Sequence, residues 1–122
     1  MIGKALVIGG GVGGMSAALA MARRGVEVEL ADADPHWRAY GAGISVTGLS
    51  LRAFDDLGIL DEVRETGFGG GGIRLRTVDG SVIMDSPPIS ADAPPIARSG
   101  GIMRPVLPET MSNRVRQGGV RV

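Results

Sequence analysis

The sequence contains no cysteine and a single histidine, His36. Disulfides, thiolate metal sites and a cysteine nucleophile are thereby excluded, and one histidine is too few for a histidine-based metal centre. A cysteine-free chain is compatible with a reducing cytoplasm, the compartment expected here. Net charge is also missing, because 13 basic residues balance 13 acidic ones. No long-range field would draw the chain to nucleic acid or to an anionic membrane, and no dense basic cluster occurs, so neither is expected as a partner.

A membrane span is lacking too, although the run from Ala5 to Ala22 carries no charge. Glycines crowd Gly9 to Gly14 inside it, each costing a continuous helix about 1 kcal/mol relative to alanine. No polar stretch with a cleavage site follows, so the run reads as a strand and then a helix, not as a span or signal peptide. A chain of 122 residues suits one domain, able to bury about two thirds of its unfolded surface. Its 21 glycines are more than double the usual share of about 7%. Because they cluster, they mark particular turns rather than general disorder.

Lys4 to Ile8 is an apolar run of strand length, and continuous apolarity predicts a central parallel strand covered on both faces. From Val12 to Arg24, Met15, Ala18, Leu19 and Ala22 recur at helical spacing. Arg23 and Arg24 suit the negative end of that helix, and Gly25 stops it. Val26, Val28 and Leu30 then alternate with Glu27 and Glu29, predicting a second strand with one face less deeply buried. Thr47 is placed to cap a helix carrying Leu51, Phe54 and Leu57 and ending at Gly58. Asp61 is placed to cap another that ends at Gly67. Ile73 to Val78, Asp79-Gly80 and Ser81 to Met84 give a hairpin signal, since that dipeptide tolerates the positive φ angles of a tight turn. Prolines between Pro87 and Pro95 predict an irregular connection. Leu107, Met111 and Val115 mark a last helix, which Gly118-Gly119 ends, and Val120-Arg121-Val122 begins a strand.

Gly9-Gly10-Gly11-Val12-Gly13-Gly14 satisfies G-x-G-x-x-G after an apolar strand and at the opening of a helix. The first glycine of that spacing makes the tight turn, the second lets backbone approach a pyrophosphate, and the third lets helix and strand pack closely. Backbone N–H groups around Val12 and Gly13 would face the phosphates, unpaired at the helix start. Asp32, at the end of the second strand, offers a carboxylate to a ribose hydroxyl pair. Asp34 competes for that role but precedes Pro35, further into a loop. Together these features predict a β-α-β unit over residues 1–32 that holds the ADP half of a dinucleotide. The fingerprint alone serves FAD and NAD(P) alike, so an NAD(P)-binding module of a dehydrogenase stays open as an alternative. A fragment that binds nothing is the other.

At this point the sequence resembles the FAD-dependent monooxygenases of the para-hydroxybenzoate hydroxylase type, which include aromatic-ring hydroxylases and related epoxidases. The first similar stretch is Gly9 through Gly14 with Ala18, Gly25 and Asp32. The second runs from Arg38-Ala39-Tyr40-Gly41-Ala42-Gly43-Ile44-Ser45 into Leu51-Arg52-Ala53-Phe54 and Leu57 to Val63. The third is Arg104 followed by Leu107 and Met111. The resemblance implies that Arg38 and Arg104 contact FAD near its pyrophosphate or flavin, and guanidinium suits phosphate oxygens because it offers several donors in one plane. Pro105 and Pro108 stand where polar residues are expected around Arg104, and proline is tolerated in a helix's first turn.

The resulting expectation is an α/β fold: a Rossmann-like FAD-binding β-α-β unit with a small antiparallel hairpin insertion over residues 73–84, incomplete at its C-terminal end. Residues 1–122 then form the amino-terminal part of an FAD-binding domain. The expected cofactor-binding residues are Gly9, Gly11, Val12, Gly13, Gly14, Asp32, Arg38 and Arg104. For a longer parent protein, the resemblance implies hydroxylation or epoxidation of an aromatic or unsaturated small molecule by O2, with NAD(P)H as reductant. The cofactor carries such chemistry, so no catalytic side chain is assigned. The chain alone is expected to be inactive.

Overall fold

A computed structural model of the chain describes residues 2–69, 72–87, 93–94 and 99–122. It opens with β1 (Lys4–Ile8), α1 (Val12–Ala22) and β2 (Glu27–Ala31). The two strands pair in parallel, Lys4 opposite Glu27 and Ile8 opposite Ala31, as strands joined through a crossover helix do. Gly25, at φ 80°, turns the chain from α1 back into β2, a left-handed conformation that costs glycine little. In β2 the buried residues are Val28 and Leu30, as their alternation with the glutamates predicts.

Beyond β2 come β3 (Gly43–Val46), α2 (Gly48–Leu57), α3 (Leu60–Thr66) and β4 (Phe68–Gly69). Then follow β5 (Ile73–Arg76), β6 (Val82–Ser86), β7 (Gly100–Met103) and α4 (Val106–Gln117). An antiparallel sheet in the order β3-β7-β4, with Gly43 opposite Met103, was not expected from the sequence. The hairpin was: β5 and β6 pair antiparallel, Ile73 opposite Ser86. At its turn only Gly80 takes a positive φ, 91°, while the Asp79 carboxylate accepts from the Ser81 N–H and the Thr77 hydroxyl. The prolines of the expected irregular connection lie partly outside the described residues.

Helices α2 and α3 end at the predicted stops, whereas α1 ends at Ala22, which leaves Arg23 and Arg24 in the turn before Gly25 instead of in the helix's last turn. Gly58, at φ 70°, closes α2, and Gly67 ends α3. Their starts differ in detail. Thr47 occupies the N-cap of α2, but its hydroxyl lies 3.5 Å from the Ser50 hydroxyl instead of capping a backbone N–H. Asp61 does not cap α3; the cap is Ile59, and Asp61 sits with Glu62 inside the first turn, where a carboxylate favours the positive end of the helix. Val120 to Val122 yields a single parallel bridge, Arg121 to Glu29, with Arg121 donating to the Val28 carbonyl at 3.0 Å.

The core lies between these layers. Met15, Leu30, Ile59, Met111 and Val115 are its largest fully enclosed side chains, each worth about 1.5 to 3 kcal/mol of burial. Helix α1 touches β1, β2, α2 and α4, which ties the parallel unit to the later helices. The expectation that β1 is covered on both faces is corrected: Leu6 is 62% and Ile8 75% exposed. β1 pairs only with β2, and α1 covers the face carrying Val7, so among the described residues nothing packs against the face that carries Leu6 and Ile8.

Candidate functional site

The glycine-rich turn between β1 and α1 makes a different backbone demand at each glycine of the fingerprint. Gly9 takes φ 107°, a left-handed conformation, as the chain leaves the strand. Gly11 is the N-cap of α1, and a β-carbon built there or at Gly13 would meet nothing within 4 Å. At Gly14 the same β-carbon would stand 3.4 Å from Val7 Cγ1 and overlap the Gly9 carbonyl oxygen at 1.8 Å. A turn, an open approach and a close helix-strand contact thus fall where the spacing predicts them. No side chain caps α1, so its first N–H groups face the opening that Gly11 and Gly13 leave clear.

Asp32 joins this turn directly. Its Oδ2 accepts the Gly10 N–H at 2.5 Å and its Oδ1 the Asp34 N–H at 2.7 Å. These two donors, Asp34 first, hold the Asp32 carboxyl below the usual carboxylate range. The side chain is exposed, and each oxygen keeps a lone pair for a further donor. Asp34 is spent differently. It accepts Arg38 Nε at 2.9 Å and a second guanidinium nitrogen at 3.3 Å, and it closes the turn by accepting the His36 N–H at 3.0 Å. The Arg38 guanidinium, with the His36 N–H after it, lowers the Asp34 carboxyl to about 2. Of the two carboxylates, only Asp32 reaches the glycine turn.

Of the other two predicted residues, Arg38 is held by Asp34, and Arg104 reaches the segment after Arg38 through the pairing of β3 with β7. Arg104 follows β7, donates its backbone N–H to the Ala42 carbonyl at 3.2 Å and reaches the Tyr40 carbonyl at 3.4 Å with its guanidinium. Gly41 sits beneath that side chain at φ 117°, where a β-carbon would stand 2.8 Å from Arg104 Cδ. Arg104 thereby packs on the segment that Arg38 opens. Pro105 forms the N-cap of α4 and Pro108 lies in its first turn, so neither prevents Arg104 from reaching back. An open cleft of about 390 Å³ separates this segment from α4, lined by Trp37, Arg38, Tyr40, Pro105 and Glu109 among others. His36 also borders it, with no chemical role assigned.

Sequence reasoning missed Gly10 and Trp37. Gly10 is an unspecified position of the fingerprint, yet it is buried and supplies the N–H that meets Asp32. Trp37 covers it. The residues present suit a nucleotide diphosphate: an uncapped helix start with a clear approach, and an exposed carboxylate fixed beside it. Among the described residues there is no cluster of metal-ligating side chains and no helix long and apolar enough to cross a membrane.

Residues 3–101 match the family profile described as FAD binding domain. The chain is 34% identical over 120 residues to a 2-heptyl-3-hydroxy-4(1H)-quinolone synthase of Mycobacteroides abscessus, an alignment covering 98% of this chain and 31% of that protein. It is 46% identical over 59 residues to a 3-hydroxybenzoate 6-hydroxylase of Polaromonas naphthalenivorans, covering 48% of this chain and 15% of that protein. Among solved structures, 2-methyl-3-hydroxypyridine-5-carboxylic acid oxygenase superposes with a TM-score of 0.81 at 27% identity, over 99% of this chain and 31% of that one. The chain therefore spans about 31% of the length of the relatives it matches along its whole extent.

Proposed function

The chain belongs to the FAD-binding domain family of flavin-dependent monooxygenases, and on that premise we propose that its glycine turn and Asp32 hold the ADP half of FAD. The observation that carries this reading is the bond from Gly10 N–H to Asp32 Oδ2 at 2.5 Å, which fixes a carboxylate beside an open helix N-terminus. In the proposed complex the diphosphate lies against Gly11, Val12 and Gly13, where backbone donors and the helix dipole favour negative charge. Gly9 and Gly14 complete the site by shaping the turn that presents these donors. Asp32 accepts the ribose hydroxyls. Arg38 and Arg104 lie toward the pyrophosphate or flavin, their guanidinium groups oriented by Asp34 and by the Tyr40 carbonyl.

For the longer protein the proposal is hydroxylation or epoxidation of an aromatic or unsaturated small molecule. Bound FAD would supply the oxygen chemistry, with O2 as oxidant and NAD(P)H as reductant, and this part of the protein would bind and orient it. The names of the relatives, a quinolone synthase and a hydroxybenzoate hydroxylase, support an aromatic substrate. The cytoplasm is the proposed compartment. A dehydrogenase module is not favoured, since the family match is to FAD-binding domains.

Calorimetric titration of the folded chain with FAD, ADP and NADH tests the binding proposal. FAD and ADP are expected to bind and NADH to bind more weakly, with no substrate-dependent NAD(P)H oxidation by this chain alone. Equal or tighter NADH binding would overturn the assignment to FAD.

A further inference from the structure

Trp37 is the single tryptophan of the sequence. It lies in the loop after β2, yet only 8% of it is exposed. Its backbone takes φ 47°, and among the described residues no other non-glycine residue has a positive φ. An aromatic residue adopts that conformation only where its surroundings over-determine it. Here the determinants are visible: its N–H donates to the Asp34 carbonyl at 3.1 Å, and the Asp34 carboxylate accepts the N–H groups on both sides of it, from His36 and Arg38.

The ring is held in place as well. A β-carbon built on Gly10 would stand 2.9 Å from the indole Nε1 and 3.0 Å from Cδ1 and Cε2, so the indole lies directly against the Gly10 backbone. The Arg116 guanidinium of α4 sits over the same ring, 4.8 Å from its centroid, a cation-π arrangement. Gly10 in turn donates its N–H to Asp32 Oδ2. A continuous path therefore runs from α4 through Arg116, Trp37 and Gly10 to Asp32.

We propose that Trp37 is a positioning residue for the nucleotide site: it seats Gly10 so that the Gly10 N–H stays on Asp32, and Arg116 keeps the ring there. The proposal rests on the reading that this turn binds the ADP half of FAD. It explains why the second glycine of the turn, which the fingerprint leaves free, is a glycine: the space of its side chain belongs to the indole.

The test is calorimetric titration of the full chain with ADP, with circular dichroism to confirm folding, for Trp37→Ala, Trp37→Phe, Gly10→Ala and the double variant Gly10→Ala/Trp37→Ala. Trp37→Ala is expected to bind about tenfold more weakly and Trp37→Phe within about threefold of the parent, the range usual for coupled neighbours. Gly10→Ala is expected to lose at least as much as Trp37→Ala, and the double variant no more than Gly10→Ala alone, because removing the ring relieves the clash. Losses that multiply in the double variant, or a folded Trp37→Ala with parental affinity, would overturn the proposal. Should Trp37→Ala not fold, Arg116→Gln decides, with a loss of about two- to fivefold expected and no loss overturning it. A parent chain that does not bind ADP would sink the nucleotide reading and this inference together, whereas a binding parent with unaffected variants sinks the inference alone.

Discussion

Asp32 and Gly10 meet across 22 positions of sequence, the carboxylate Oδ2 accepting the backbone N–H at 2.5 Å. That bond locks the end of β2 to the turn that leaves β1 and leaves the second carboxylate oxygen facing the Asp34 N–H. Asp32→Asn replaces one of these acceptors by an NH2 group that opposes a donor. The variant is expected to fold but to bind ADP about ten- to a hundredfold more weakly, since a hydrogen bond to a charged group is lost. Calorimetry on the folded variant checks this, and an undiminished affinity would remove Asp32 from the site.

Gly11 and Gly14 should fail in opposite ways when each is replaced by alanine. The Gly14 β-carbon would overlap a carbonyl oxygen of the backbone at 1.8 Å, which no side-chain rotation relieves. Gly14→Ala is therefore expected to destabilise the fold by about 3 kcal/mol or more. The Gly11 β-carbon meets nothing within 4 Å, so Gly11→Ala should melt within a few degrees of the parent. Its methyl group would occupy the approach of the pyrophosphate, and ADP affinity should drop at least about tenfold. Thermal denaturation and ADP titration of the two variants separate packing from binding.

The same contrast shows what the sequence can reveal. Demands on the backbone leave marks in residue type, so the glycine turn, the left-handed turn at Gly25 and the Asp79-Gly80 hairpin are legible in the sequence. Periodicity likewise placed α1, α2 and α4. The β3-β7-β4 sheet was not legible, because its strands Gly43–Val46 and Gly100–Met103 are short, rich in glycine and paired across a long separation. Nor could apolarity alone reveal that Leu6 and Ile8 are left open, since the same residues suit a covered face. Within the site, Arg38 was legible only as a guanidinium in a loop. That Asp34 holds it, and that Trp37 covers Gly10, depends on a turn whose folding no local pattern announces.

Acid should loosen that turn in a defined window. The Asp34 carboxyl is lowered from 3.8 to about 2, chiefly by Arg38. A carboxylate lowered on folding contributes stability that is present above its unfolded value and is lost as pH falls through its folded value. The contribution is therefore whole above 3.8 and disappears toward about 2. Because the ion pair is exposed, the effect is small and salt weakens it. The urea midpoint of the parent is expected to fall between about pH 5 and about pH 2.5, and that of Asp34→Ala to fall less over the same interval. Parallel slopes would show that Asp34 carries none of the acid sensitivity.

The open face of β1 is expected to make the chain associate at high concentration. Lys4, Leu6 and Ile8 share that face with Glu27 and Glu29 of the paired strand, and Lys4 is 3.3 Å from Glu27. One end of the face is therefore charged, while Leu6 and Ile8, 62% and 75% exposed, form an apolar end. β1 also has a free edge, because among the described residues it pairs with β2 alone. A free edge beside an apolar face invites pairing with another chain. Replacing both residues by threonine puts a β-branched residue, which strands favour, at each position and removes apolar surface. The double variant Leu6→Thr/Ile8→Thr is expected to unfold within about 0.5 kcal/mol of the parent, as surface substitutions do. In sedimentation velocity it should remain monomeric at concentrations where the parent associates, and it should bind less of an apolar-surface dye. Equal association by parent and variant would place the sticky surface elsewhere, with the exposed hairpin residues Ile73, Val82 and Ile83 the next to replace.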